Sequence, residues 1–300
     1  MELWILLAVA AAFFQNLRFM LQKVLSGSTL SAAGATFARF IYAAPLVGAG
    51  LFALLAYRGQ PLPDLGPGFW TYALIGGLTQ ILATLCVVAL FAHRNFAVGV
   101  TLMKSEVLMT VLLGLLVLND TVSTLGFLAM LLGVVGVLLL AQMPQATGPL
   151  WRRIWTRSTG LGLASGALFS VSSVFYRGAS LSVDSDDPLL RAVLTLTVVC
   201  TAQAFGMALW LRWREVGQIT RVLRGWRTSG LVGVTSLAGS LCWFTAFTLQ
   251  NAAYVKAVGQ VELLFSILAS VLFFKERIAA REGIGLAVLS VAIVGIVLAG

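Results

Sequence analysis

Apolar blocks, each near the ~20 residues that carry a helix across a bilayer, alternate along this chain with short clusters of turn and charged residues. The blocks predict ten helices, at 3–25, 30–57, 68–93, 96–118, 121–142, 159–180, 187–213, 227–249, 252–274 and 279–299. Several connections are very short: Arg94-Asn95, Asn119-Asp120 and Gln250-Asn251. Such hairpins force neighbouring helices to pack antiparallel. The longest polar stretch in mid-chain, Met143 to Ser158, holds Pro144, Pro149, Arg152, Arg153 and Arg157. It divides the chain into residues 1–150 and 151–300, five predicted spans in each.

The two halves repeat. Residues 70–120, moved by 156 positions, fall without a gap on 226–276. Trp70 meets Trp226, Thr79 meets Thr235, Cys86 meets Cys242, Asn95 meets Asn251 and Glu106 meets Glu262. Apolar matches are cheap in so hydrophobic a chain, but Trp, Cys, Asn and Glu matches at one offset are not. Five spans separate the start of one copy from the start of the next, and an odd number turns the second copy upside down. Inverted repeats around a midplane site are a recurring plan of secondary transporters. The predicted fold is therefore an all-α integral membrane protein, ten transmembrane helices in two inverted five-helix repeats around a central cavity.

Composition agrees: 59% of the 300 residues are hydrophobic and 10% charged, against about 25% charged in a soluble domain. The net charge of +9 does not point to nucleic acid, because most Lys and Arg fall in short loops. The odd-numbered loops carry thirteen of them, whereas the other side has Arg58, with Arg177 and Arg191 near helix ends, and an acidic sixth loop. The positive-inside rule then puts the odd loops in the cytoplasm and both termini outside. Cys86, Cys200 and Cys242 lie inside apolar segments, and His93 is the one histidine, so no metal site, disulfide framework or cofactor is expected.

Polar residues at membrane depth mark the candidate site. Gln15, Asn16, Arg39, Thr79, Gln80, Lys104, Trp243 and Gln260 are the candidate substrate-binding residues. Arg18 in the first span and the serines of the sixth and eighth spans are also polar at depth. Glu106 and Glu262 are repeat mates at equal depth, expected either in buried ion pairs or in proton coupling. An ionised group at the bilayer centre costs at least ~2.5–3.5 kcal/mol on insertion scales, so each needs a partner, water or a proton. Arg39 is the expected partner of Glu106, and Arg191 of Glu262. Lys104 lies two residues from Glu106 and so on another face, while Lys256 is expected to snorkel to the interface. The fifth and tenth spans are nearly all apolar, with Gly126, Gly133, Gly136, Gly283, Gly285 and Gly295 suited to close helix packing. The chain is expected to be a monomer, with a homodimer through these two spans as the alternative.

The chain resembles the EamA-type ten-span exporters of the drug/metabolite transporter superfamily. The resemblance rests on the two five-span halves, on Leu118-Asn119-Asp120-Thr121, and on Phe274-Lys275-Glu276-Arg277-Ile278 before the final small-residue-rich helix. The family's usual proline in spans four and nine is missing. The resemblance implies export of small metabolites, often amino acids, from the bacterial cytoplasm across the inner membrane; multidrug or organic-cation export is the alternative within the same fold. Many relatives place their termini in the cytoplasm, opposite to the charge count here. With no Walker A sequence, ATP is not the direct energy source. A channel needs a pore-lining ring or filter, and an enzyme a nucleophile or metal motif; neither pattern is present.

Overall fold

The computed structural model describes residues 2–28, 30–90, 103–140, 157–265 and 280–300. Its ten main helices are α1 (Leu3–Ser28), α2 (Ala32–Arg58), α3 (Phe69–Leu90), α4 (Glu106–Leu118), α5 (Thr124–Leu140), α6 (Arg157–Leu181), α7 (Pro188–Arg214), α8 (Trp226–Leu249), α9 (Ala252–Val258) and α10 (Ala280–Ala299). By length and composition α1, α2, α3, α6, α7 and α8 can each cross a membrane, and shorter apolar helices accompany them. Among the described residues there is no strand, only an isolated antiparallel bridge between Leu65 and Val183.

Local sequence sets the helix ends. Ser31 caps α2 by accepting a hydrogen bond from the Gly34 N–H at 3.0 Å. Gly59 ends the helix in the left-handed region, at φ +61°, which only glycine adopts without strain. Asp187 caps α7 by accepting from the Leu189 N–H, ahead of Pro188, whose fixed φ suits a first helical position. Asn119 closes α4 with φ +55°, a conformation asparagine tolerates better than most residues.

The fourth and ninth spans differ from the continuous helices expected. A turn at Lys104-Ser105 precedes α4, and α9 gives way to a 3-10 segment, Gly259–Val261. The two irregular stretches are 156 residues apart, so they are repeat mates, and each ends one residue before a glutamate. Close packing faces both of them. A Cβ on Gly166 would stand 2.8 Å from the Met103 carbonyl oxygen, and one on Gly259 would stand 2.3 Å from the Trp243 ring. A second unforeseen element is the seven-residue helix Gln218–Arg224 in the seventh loop. The Arg94-Asn95 hairpin, His93, the linker through residue 156 and the Phe274–Ile278 motif lie outside the described residues.

Packing arranges the helices in pairs. α1 lies on α8, α3 on α6, α2 on α7 and α4 on α9, while α5 and α10 pack on each other. The two ends of the helix packing are tied differently. At the start of α2, the Ser31 N–H donates to Gln218 Oε1 at 3.3 Å, and the Ser31 hydroxyl donates to Glu215. At the far end of α2, the Gly66 N–H donates to the Ser182 carbonyl at 2.8 Å, and Arg58 pairs with Asp187. On that same side Arg177 holds Asp120 at 2.7 Å and donates to the carbonyls of Phe247 and Gln250.

Five of the six glycines expected to permit close approach do so inside the chain, while Gly283 has nothing within 4 Å of its Cβ position. A Cβ on Gly136 would lie 2.8 Å from the Leu289 backbone nitrogen, and one on Gly285 would lie 2.9 Å from that of Leu140. The small-residue faces of α5 and α10 are thus occupied by each other. A dimer built on this pair would have to use the outer faces, where Leu125, Leu128, Val291 and Val294 are exposed. Gly136→Ala is expected to cost about 1–3 kcal/mol, the usual penalty for overpacking, because backbone rather than a flexible side chain must give way. Gly230, with nothing within 4 Å of its Cβ position, is the control. Melting of the two alanine variants in detergent checks this: equal melting temperatures would mean that the α5–α10 contact is not tight.

Candidate functional site

Among the described residues six charged side chains are buried in the interior, at 3–7% exposure: Arg18, Arg39, Lys104, Lys256, Glu106 and Glu262. Four of them form two ion pairs that cross between the halves. Lys104 Nζ lies 2.8 Å from Glu262 Oε2, and Lys256 Nζ lies 3.1 Å from Glu106 Oε2. The first is also a hydrogen bond. The second is an ion contact without hydrogen-bond alignment, since Glu106 Oε2 has no aligned donor. Each glutamate sits just past an irregular stretch of its span. Glu106 lies in the first turn of α4, where the helix dipole favours negative charge.

These pairings replace the ones expected from the sequence. Arg39 does not meet Glu106: its guanidinium donates to Thr84 Oγ1 at 3.3 Å and Ser240 Oγ at 3.2 Å. Arg191, in the first turn of α7, leaves Nε without a partner and does not meet Glu262. Lys256 does not snorkel. Its ammonium is buried 4.9 Å from the centre of the Trp243 ring and 5.4 Å from that of Phe169, as well as beside Glu106. Aromatic faces attract a cation through their quadrupole, so the lysine is held from three sides.

A polar relay leads from one pair to the centre. The Trp243 indole N–H donates to Gln15 Oε1 at 3.2 Å, and Gln15 Nε2 donates to Glu262 Oε2 at 3.1 Å. The indole, expected to need a partner midway along its helix, has one. Its ring stacks on Phe247 at 5.6 Å. Across the interior, Gln80 Oε1 accepts from the Tyr176 hydroxyl and from Gln203 Nε2, both at 2.9 Å. Gln203 Nε2 also donates to the Gly77 carbonyl at 2.9 Å, which ties α7 to α3.

Between these groups lie two narrow cavities. One, of about 20 Å³, is lined by Gln15, Arg39, Gln80, Tyr176, Trp243 and Lys256 among others. The second, of about 10 Å³, lies beside Arg18, Arg39, Thr235, Ser236 and Ser240. Together they have room for a water molecule or two. Their walls come from both halves: α1, α2 and α3 from the first, α6, α8 and α9 from the second. α5 and α10 contribute nothing to either wall.

Of the expected site residues, Gln15, Arg39, Gln80 and Trp243 line a cavity, and Lys104 joins through Glu262. Three do not. Thr79 is half-buried and donates back to its own helix, to the Ile75 and Gly76 carbonyls. Asn16 is half-buried on α1 and lines neither cavity. Gln260 is buried with both amide atoms unpartnered, and it faces Gly133 of α5 instead of the cavities. The expected substrate-binding set did not include Arg18, Phe169, Tyr176 and Ser240, although Arg18 and Ser240 stand among the residues read as polar at membrane depth. Arg18 had a usable signal, because it follows Gln15 by three residues and shares its helix face.

Comparison with known proteins identifies the family. The model of the EamA-like transporter family matches residues 2–142 and 157–298, nearly the whole chain in two copies. The chain belongs to the EamA-like transporter family. No curated protein matches it. Twenty-nine chains of solved structures do. One of them, titled only "Crystal structure of protein", has a TM-score of 0.66 at 18% identity, with 97% of this chain and 99% of that chain covered. At that identity the likeness speaks for the fold alone. This EamA-like chain is a multi-pass membrane transporter of small molecules, and its two family copies meet at the crossed ion pairs.

Removing one partner of a buried pair strands a charge and costs about 3–5 kcal/mol. Lys104→Ala is therefore expected to destabilise the transporter more than the double change Lys104→Ala, Glu262→Ala does. The cycle should show a coupling of about 0.5–3 kcal/mol, read from unfolding in detergent. Arg39→Ala and Glu106→Ala, which share no partner, should add. Strong coupling between Arg39 and Glu106, with additivity for Lys104 and Glu262, would restore the pairing expected from sequence.

Proposed function

We propose that this chain is a secondary transporter of the bacterial inner membrane. It exports small metabolites, amino acids and related compounds first among them, by alternating access. In this reading ten spans form two inverted five-helix halves, residues 1–150 and 151–300, around the polar interior. The observation that carries it is the pair of crossed lysine–glutamate contacts at repeat-related breaks in the fourth and ninth spans, beside cavities walled by both halves. Discontinuous helices at the interface of two repeats are where transporters of this kind bind their cargo and coupling ions.

Two further features support inversion. Exchanging helix n for helix n+5 turns the α1–α8 contact into α6–α3, and leaves α2–α7, α4–α9 and α5–α10 unchanged. The same exchange turns the contact of the first and seventh loops, at Ser31 and Gln218, into that of the sixth and second, at Val183 and Leu65. These two junctions stand at opposite ends of α2. A two-fold axis in the membrane plane produces that relation, and one along the membrane normal does not.

Substrate entry requires the helices to part, since about 20 Å³ holds no metabolite. So narrow a cavity among the described residues favours a carrier over an open pore. Counterflow in proteoliposomes tests the reading. Unlabelled amino acid trapped inside should accelerate entry of the labelled compound several-fold. Flux that is fast without any trapped substrate, and is not stimulated by it, would mean a channel. Should labelled organic cations exchange and amino acids not, the multidrug alternative would replace metabolite export.

A further inference from the structure

Among the described residues the buried charges do not balance. Four cationic heads, Arg18, Arg39, Lys104 and Lys256, share the interior with two carboxylates, Glu106 and Glu262. The two lysines take both carboxylates. No ion pair among the described residues includes Arg18 or Arg39. Arg39 donates to the two neutral hydroxyls of Thr84 and Ser240, and its guanidinium carbon lies 5.1 Å from the centre of the Phe40 ring. Arg18 has less: its Nε and Nη2 are buried with no hydrogen-bond partner, and its guanidinium carbon lies 4.5 Å from the centre of the Phe19 ring. Both arginines line the same cavity, with Gln15, Thr235, Ser236 and Ser240 as neutral hydrogen-bonding neighbours.

A guanidinium stays protonated even when buried, so an unmatched one does not shed its charge as a lysine does. Two such groups facing one cavity define an anion-binding centre, and their planar N–H forks match carboxylate and phosphate oxygens. We infer that the transported substrate is a small organic dianion, bearing two carboxylates or one phosphate monoester, seated between Arg18 and Arg39. The inference rests on the transporter reading and, among small metabolites, puts dianions ahead of the amino acids named first there. The lysine–glutamate pairs are already neutral and contribute no net charge to the substrate. Among the described residues the excess of two positive charges falls on the arginines, and Arg18 also lies within the field of Glu262. Thr235, Ser236, Ser240 and Gln15 supply further hydrogen bonds to a polar ligand, and Trp243 closes one wall.

The test uses purified full-length protein in proteoliposomes preloaded in turn with succinate, glycerol 3-phosphate, alanine and choline, each with its labelled form outside. Trans-stimulated exchange is expected for succinate or glycerol 3-phosphate, and which one responds separates the carboxylate from the phosphate source. Arg18→Gln and Arg39→Gln should each lower that exchange at subsaturating substrate by at least about tenfold, the scale of a lost charge-assisted contact. Arg227→Gln, exposed at the start of α8, should leave it unchanged. Melting in detergent separates binding from folding. Arg18→Gln removes an unmatched buried charge, so it should raise the melting temperature without ligand and abolish the rise caused by the anion. A structural role predicts the reverse: a lower melting temperature with the anion response intact. Exchange of alanine or choline without exchange of either anion overturns this inference and leaves the transporter reading standing. No trans-stimulation with any of the four, from folded and monodisperse protein, overturns both.

Discussion

Charge inside a low-dielectric interior has to be matched where it stands, and this constraint organises the molecule. Glu106 and Glu262 reach into the region where an unpaired carboxylate is most costly. Each is met by a lysine from the opposite half. Because neither half can neutralise its own glutamate, the halves are electrostatically incomplete alone and complete together. Hydrophobic packing cannot supply that specificity, since lipid is as apolar as a leucine-rich helix face. The contacts of α5 with α10 follow the other rule open to membrane helices, with glycines that bring backbones close. The protein therefore has a polar, paired centre and a dry, tightly packed flank.

Helix geometry explains why the pairs cross. At 3.6 residues per turn, two positions along a helix point to widely different sides. Lys104 thus cannot turn back to Glu106, and Lys256, six residues before Glu262, is likewise off its face. The turn at Lys104-Ser105 and the 3-10 stretch at Gly259–Val261 redirect the chain just ahead of each glutamate. Gly259 makes room for the Trp243 ring that lies over Lys256. Aromatic face, ammonium and carboxylate then form one packed unit, and the Gln15 amide joins Trp243 to the other pair.

How much of this could be read in advance depended on the kind of information involved. Periodicity and length identify a helix whatever it touches, so α2, α6, α7 and α8 begin and end within about three residues of their predicted bounds, the usual uncertainty of such limits. The repeat register singled out Glu106 and Glu262 because identical rare residues at one offset are a local fact. Partner choice is not local. Arg39 and Arg191 were matched to the glutamates by depth alone, and depth does not state which way a helix is rotated. In the structure Arg39 turns toward Thr84 and Ser240. The breaks in the fourth and ninth spans left no proline to announce them. Gln260 was misread for the same reason: it is the repeat mate of Lys104, yet it points to Gly133. The repeat keeps the backbone plan, while the charges on it have diverged.

That divergence bears on how the halves can move. α4 and α9 contact each other in a way the exchange of halves leaves unchanged, so in the inverted reading they lie beside the pseudo-two-fold axis. Elements near such an axis are displaced least when one half rocks against the other. The crossed pairs can therefore stay closed through a cycle, and no charge need be stranded at membrane depth. The contacts far from the axis are different. Arg177 with Asp120 and the backbone bond of Gly66 to Ser182 close one end, and Ser31 with Glu215 and Gln218 closes the other. Each of these lies at a helix end and is partly buried, Arg177 and Asp120 at 14% and 15% side-chain exposure, so water reaches the groups as they part. Opening either end thus breaks partly buried contacts at the helix ends and keeps the central pairs. A carrier needs that arrangement if its barrier is to be low while its centre holds together.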